Sequence, residues 1–234
     1  MTKLPTLKLL SFILFTFFLS ACSRNTQSSI DSLNAILDAE RSPDIAESHI
    51  RSLPYPASIV TINDRKPILM ILAFVDSFGD SGAKQLTWYA ADGGSITTKN
   101  GRIVHTTGFN TNNLENLSSF QATPPAPIKA MSWQAIYDWS PHYRYHFSAD
   151  VSTQSIEDEL ITTFLWEQST KHITEQIRFT SFEHDLVNEF WIAPATQTTK
   201  AFTVKSTQYI GPNMDKVNML MIRPYVEPIN TLSP

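Results

Sequence analysis

The sequence predicts a mainly β fold: a single antiparallel barrel- or sandwich-like domain with one or two short N-terminal helices. Three observations carry this. Asn100-Gly101 stands between two β-rich runs, and a type I′ hairpin turn needs positive φ at both central residues, which Asn and Gly tolerate. Asp92-Gly93-Gly94 closes the preceding hairpin in a similar way. Strand-length segments then recur towards the C-terminus at the turn spacing of an all-β domain. Consecutive strands joined by tight turns make an antiparallel meander, which argues against a parallel α/β sheet.

In chain order, residues 23–29 are small and polar and read as a tether. Ile30, Leu33, Ile36 and Leu37 follow at one-face helical spacing. Ser42-Pro43-Asp44 reads as N-cap, N1 proline and first-turn acid of a second helix. Ile45, Ile50 and Leu53 form its apolar stripe, and Pro54 and Pro56 end it. Strands are expected at Ser58 to Ile62, Ile68 to Val75, Lys84 to Ala90, Ser95 to Lys99 and Arg102 to Thr106. The second of these is a continuous apolar run, short enough to be a fully buried strand. Asn110 to Leu117 reads as a helical turn or loop, and the proline-rich Gln121 to Pro127 as a breaker on the surface. Strands resume at Lys129 to Trp139, Tyr143 to Ser152, Glu159 to Trp166, Thr174 to Thr180, Val187 to Ile192, Ala201 to Ile210 and Val217 to Ile222.

The N-terminus supplies an address. Lys3 and Lys8 precede an apolar stretch from Leu9 to Leu19, which is long enough for a signal peptide. A hydrocarbon core needs roughly twenty such residues, so the stretch is too short to span one. It ends in Leu19-Ser20-Ala21-Cys22, which resembles the lipobox of bacterial lipoprotein precursors. The resemblance implies cleavage after residue 21, diacylglycerol on the Cys22 thiol and acylation, such as palmitate, of the new amine. The organisation is then residues 1–21 signal peptide, 22–29 lipidated tether and 30–234 one β-rich periplasmic domain. Lipoproteins retained in the inner membrane commonly carry aspartate after the cysteine. Ser23 stands there instead, which favours the outer membrane.

Charge and composition exclude several classes. The chain holds 18 basic and 22 acidic residues, and loss of Lys3 and Lys8 takes the net charge from -4 to -6. That balance, without a basic cluster, argues against nucleic acid or anionic lipid as a partner, since both need a dense Lys/Arg face. Cys22 is the only cysteine, so once acylated it leaves no thiol for a disulfide, a thiolate metal site or a nucleophile. No cofactor is expected, since no phosphate loop, nucleophile elbow or dinucleotide fingerprint is present. No metal site is expected either. His142 and His146 are four apart, a helical spacing that falls here in a β segment.

Three blocks resemble one family. Tyr55-Pro56-Ala57-Ser58, Trp88-Tyr89-Ala90-Ala91-Asp92-Gly93 and Asn100-Gly101-Arg102-Ile103-Val104-His105-Thr106-Thr107-Gly108-Phe109 are similar to the signature of the GfcB/YjbF lipoproteins. These are encoded with capsule and exopolysaccharide secretion systems. Asn188-Glu189-Phe190-Trp191 and Lys205-Ser206-Thr207-Gln208-Tyr209-Ile210-Gly211-Pro212 resemble the family's C-terminal half. Asn100, Gly101 and Arg102 are the most specific part. After the tryptophan the family continues with an acid and Thr-Gly, whereas this chain has Ile192-Ala193-Pro194-Ala195, so no role passes to that acid. The resemblance implies a lipid-anchored β domain assisting assembly or export of surface polysaccharide. Its expected partners are the membrane, the polysaccharide and capsule-export proteins.

Two constellations are candidates for contact. Trp133, Tyr137 and Trp139 share strand parity, as do Tyr143, Tyr145 and Phe147. Their rings would stack on pyranose faces, with Arg144, Asp138 and His146 bonding hydroxyls, and the same rows would equally make a core. Arg102 fits either an acidic-sugar contact or, as a stabiliser of the turn, an ion pair with Asp92 or a cap on nearby carbonyls. It lies at opposite strand parity to His105. Glu157-Asp158-Glu159 and Glu183-His184-Asp185 read as solvated turns without a catalytic frame, so no catalytic residue is expected. The alternatives are a glycan-modifying enzyme, which needs two carboxylates about 5–10 Å apart in a cleft, and a lipid-binding β half-barrel, which needs a large dry cavity.

Overall fold

The computed structural model describes residues 47–77, 83–120, 123–142 and 144–227. Among these residues one short helix, α1 (Glu47–Ser52), precedes twelve strands. These are β1 (Ala57–Ile62), β2 (Ile68–Ser77), β3 (Lys84–Ala90), β4 (Ser95–Lys99), β5 (Arg102–Thr107), β6 (Asn113–Ser119), β7 (Ser132–Ser140), β8 (Arg144–Thr162), β9 (Glu167–Phe179), β10 (His184–Ala193), β11 (Phe202–Tyr209) and β12 (Lys216–Arg223). All join one antiparallel sheet in the order β5-β4-β3-β2-β1-β12-β11-β10-β9-β8-β7-β6, which curls into a nearly closed barrel. Cys22, the tether and the first expected helix lie outside the described residues.

The two sheet edges, β5 and β6, meet through side chains. Leu114 N donates to Thr106 Oγ1 at 2.9 Å, and His105 Nδ1 lies 2.9 Å from Glu115 O. Asn113 Oδ1 accepts from Phe109 N at 3.1 Å. Such bonds occupy edge groups that would otherwise template association. The segment expected to be a helical turn or loop is therefore strand β6. Its buried residues, Leu114 and Leu117, stand three apart because a bulge between Leu114 and Asn116 breaks the alternation, which leaves a helix-like spacing in the sequence.

The barrel interior is filled. Trp88, Ile96, Leu114, Tyr137, Trp139, Ile177, Phe179 and Val217 are among its buried side chains. Tyr137 stacks on Trp139 at 5.5 Å, and Phe179 packs on both. Trp139 Nε1 donates to Ile210 O at 2.6 Å, so the ring is buried with its polar atom satisfied.

Among the described residues the outer wall is covered in two places. Ile50 of α1 packs with Leu53, Ala57, Ile59 and Ile222. Arg223 Nη1 donates to the carbonyls of Ile50, Arg51 and Leu53, satisfying groups that a helix end leaves unpaired. The second cover is the β8–β9 hairpin. A bulge between Thr153 and Ser155 bends it, and its far half folds onto the barrel wall, burying Ile161 against Trp191, Ala193, Val204 and Leu220. Its tip reaches α1, where Arg51 Nη2 donates to Phe164 O at 2.8 Å.

Several expectations are corrected here. Residues 144–152 and 159–162, expected in two separate strands, belong to one 19-residue strand, Arg144–Thr162, because the polar run between them continues pairing, and residues 163–166 form the turn that follows it rather than more strand. Glu159 is accordingly a buried strand residue rather than part of a solvated turn. The apolar β2 is not fully buried: its second half, residues 73–77, is exposed on both faces, with Phe74 edge-on to Tyr89 at 6.2 Å. The proline-rich segment is not a free surface breaker, since Pro124 and Pro127 are buried.

Candidate functional site

The Asn100-Gly101 turn forms as a type I′ turn, with φ of 53° and 79°. It does not project into solvent. A Cβ on Gly101 would sit 1.9 Å from Thr203 Oγ1, so the turn lies directly against β11. Gln208 of β11 holds it there, donating from Nε2 to Gly101 O at 3.0 Å and accepting from Ile103 N at 3.0 Å. Asn100 Nδ2 donates to Pro124 O, and Arg102 Nε to Pro125 O, which pins the proline-rich segment to the turn.

Arg102 is 2% exposed and pairs with Glu175 of β9, which is fully buried. The pairing is bidentate: Nη1 to Oε2 at 2.6 Å and Nη2 to Oε1 at 2.8 Å. The guanidinium also lies over Trp133 at 4.9 Å and Phe190 at 5.0 Å. The expected pair with Asp92 does not form. Asp92 Oδ1 instead accepts from Gly94 N within its own turn, because Arg102 follows a different turn and points into the barrel. Burial pushes the hydroxyl of nearby Tyr137 far above its ordinary range.

A cleft of about 320 Å³ opens beside this turn, at the lower end of the roughly 300–1,000 Å³ usual for ligand sites. Its walls are Asn100 and Gly101, the pinned segment from Thr123 to Ile128, the start of β11 and the chain leaving β12. Lys84, Lys200 and Glu227 supply its charges, and Phe202 and Tyr225 its rings. Lys200 Nζ lies 3.2 Å from Glu227 Oε1, and Lys84 Nζ donates to Ser77 Oγ at 2.6 Å.

A second polar cluster joins the folded-over hairpin to the barrel wall. Lys205, Trp191 and His172 are successive cross-strand neighbours on β11, β10 and β9. His172 stacks on Trp191 with centroids 4.3 Å apart and an interplanar angle of 6°, and Lys205 Nζ lies 4.1 Å from the same ring centroid. Nδ1 of His172 is 3.2 Å from Glu159 Oε2. Nε2 is 3.2 Å from Glu189 Oε1, close enough for an ion pair but misaligned for a hydrogen bond. Trp191 Nε1 donates to Glu159 Oε2 at 2.8 Å. Burial acts to lower the pKa of His172, but contact with Glu159 and then Glu189 outweighs it and raises the value to about 9. For Glu159, burial acts upward, yet His172 and Trp191 hold its carboxyl below the usual value. Sequence parity missed this cluster, because Glu159 reaches it only through the bend in β8.

The expected aromatic strip is not a surface. Tyr137 and Trp139 are each 2% exposed and belong to the core, and Trp133 is half-buried over Arg102. Bulges at Tyr137/Trp139 break the parity that aligned the two rows, pairing Trp139 with Arg144. Arg144 is engaged structurally, by Asn112 Oδ1 and the carbonyls of Ser140 and Pro141. Tyr145 is exposed, and Tyr143 lies outside the described residues. Among the described residues no group of three His, Asp or Glu is placed to hold a metal ion.

A nearly closed, side-chain-filled antiparallel barrel, with its signature turn folded inward beside a surface cleft, defines the class as a β-barrel domain. The chain belongs to the family described as group 4 capsule polysaccharide lipoprotein GfcB, YjbF, whose model matches residues 30–222. It is 26% identical over 223 residues to the uncharacterized lipoprotein GfcB of Escherichia coli (strain K12), covering 90% of this chain and 96% of the relative. The fold is also similar to the crystal structure of the hypothetical lipoprotein YmcC from Escherichia coli (K12). That likeness has a TM-score of 0.65 and 22% identity, over 85% of this chain and 97% of the other.

Proposed function

We propose that this chain is a lipid-anchored outer-membrane lipoprotein that faces the periplasm and assists assembly or export of capsule polysaccharide without catalysing a reaction. Membership of the capsule lipoprotein family carries the reading. The leader ending at Cys22, followed by Ser23, supports the anchor and its membrane. The buried carboxylates support a binding or scaffold role over glycan hydrolysis, because Glu175 is committed to Arg102 and Glu159 to His172 and Trp191. The packed interior supports surface contact with polymer or export proteins over carriage of an acyl chain along the barrel axis.

The test pairs an address with a phenotype. Metabolic labelling with a palmitate analogue is expected to mark the wild type in outer-membrane fractions, and Cys22→Ser to lose both label and membrane association. Deleting the gene is expected to reduce surface capsule, with restoration by wild type and not by Cys22→Ser. Undiminished surface capsule after deletion would refute the pathway, and a labelled Cys22→Ser protein would refute the anchor.

A further inference from the structure

We infer that the cleft beside the Asn100-Gly101 turn is a binding site for an acidic saccharide, with Lys84 and Lys200 meeting the carboxylate and Tyr225 and Phe202 the ring. This rests on the capsule reading and names the ligand class within it.

The cleft is built in advance rather than formed by mobile side chains. The close seating of Gly101 on Thr203 and the Gln208 bonds fix one wall. The Asn100 and Arg102 bonds to the carbonyls of Pro124 and Pro125 fix another. A third is tied by Lys200 N donating to Glu227 O at 3.3 Å. Walls held in this way spare a ligand the cost of ordering them.

The composition suits a sugar. A pyranose has apolar C–H faces and a polar rim, and the cleft sets Phe202 and Tyr225 among threonine hydroxyls and the Asn100 amide. Its charge balance selects the acidic kind. Among the described residues, two lysines line it against a single carboxylate, Glu227, on a chain whose overall net charge is -4. Lys84 is hydrogen-bonded to a neutral hydroxyl and keeps its charge uncompensated by that contact. Lys200 is shared with Glu227, so the carboxylate of Glu227 competes with an anionic ligand for it. An apolar occupant would leave these charged groups desolvated and without gain.

The competition gives a signed test that misfolding cannot imitate. The full lipoprotein in detergent micelles is titrated calorimetrically with short hexuronate oligomers, and with the same oligomers after carboxyl reduction. Hexuronate should bind, and carboxyl reduction should weaken it about tenfold, as should Lys84→Ala or Lys200→Ala. Glu227→Gln should tighten it severalfold. Equal affinity for reduced and unreduced oligomers, a Glu227→Gln affinity at or below wild type, or no wild-type binding would each overturn the site. The two readings fail separately. A protein that binds neither probe while its deletion strips capsule from cells loses the cleft and keeps the capsule role. Intact capsule in the deletion strain removes the capsule role whatever the titration gives.

Discussion

The His172 cluster makes stability depend on pH in one direction. The folded pKa is about 9 against an ordinary 6.5. A raised pKa means that the folded state holds the proton more tightly than the unfolded chain does. The stabilisation is therefore fully present below pH 6.5 and is lost as pH rises through 9. A displacement of this size corresponds to about 3 kcal/mol at full weight. His172 is partly open to water, and screening leaves roughly 1–2 kcal/mol. The charged groups around it act with this sign or weakly against it. Glu159 and Glu189 flank its nitrogens, Glu157 is its partner on β8, and Lys205 lies against Trp191. The assay is thermal unfolding followed by tryptophan fluorescence from pH 6 to 10, for the wild type and His172→Gln. The difference in Tm should be about 2–8 °C near pH 6 and close to zero at pH 10. Parallel curves, with the same gap at both ends, would show that the histidine contributes packing only and that the ion cluster does not hold the hairpin.

Four further outcomes follow from the same geometry. Glu175→Gln removes one partner of a buried bidentate pair and should cost about 3–5 kcal/mol in urea unfolding, whereas Arg102→Met with Glu175→Leu should recover much of it. Gly101→Ala places a Cβ against Thr203 at positive φ and should destabilise by more than about 1 kcal/mol, while Gly93→Ala, where no atom lies within 4 Å, should cost less. Tyr137→Ala should cost about 3–5 kcal/mol as a core truncation, and the exposed Tyr145→Ala within about 0.5. Arg223→Ala should loosen α1, seen as faster amide exchange of Ile50 and Leu53 without loss of the barrel.

Local signals were legible and curvature was not. Lys84 to Ala90 and Ser95 to Lys99 match their expected limits because hairpin turns with positive-φ residues fix the register from nearby residues alone. The family resemblance was legible for the same reason, since its blocks surround those turns. What failed depends on bends. The β8 bulge carried Glu159 from an apparent acidic turn into the wall, and the β7–β8 bulge separated two aromatic rows that strict alternation had aligned. A period of two holds only while the ladder is regular. Glu175 gave no signal in the sequence, because its partner is 73 residues away and a lone charge in a strand reads as solvent-facing.

Asn100-Gly101-Arg102 shows how a signature can be specific through the shape it imposes, beyond any contact it makes. Each residue answers a different physical demand of one turn. Asn100 and Gly101 take the positive φ that reverses the chain, and Gly101 alone leaves room for Thr203. Arg102 carries charge into the barrel, where Glu175 and two aromatic faces receive it. Together the side chains of Asn100 and Arg102 hold the carbonyls of Pro124 and Pro125, so the turn sets the position of a cleft wall it only partly forms. Substitution here should then disturb the cleft through shape, with stability and binding falling together. Substitution of Lys84 or Glu227 should move binding while leaving Tm in place. The separation of those two responses is what would distinguish a scaffold residue from a contact residue in this protein.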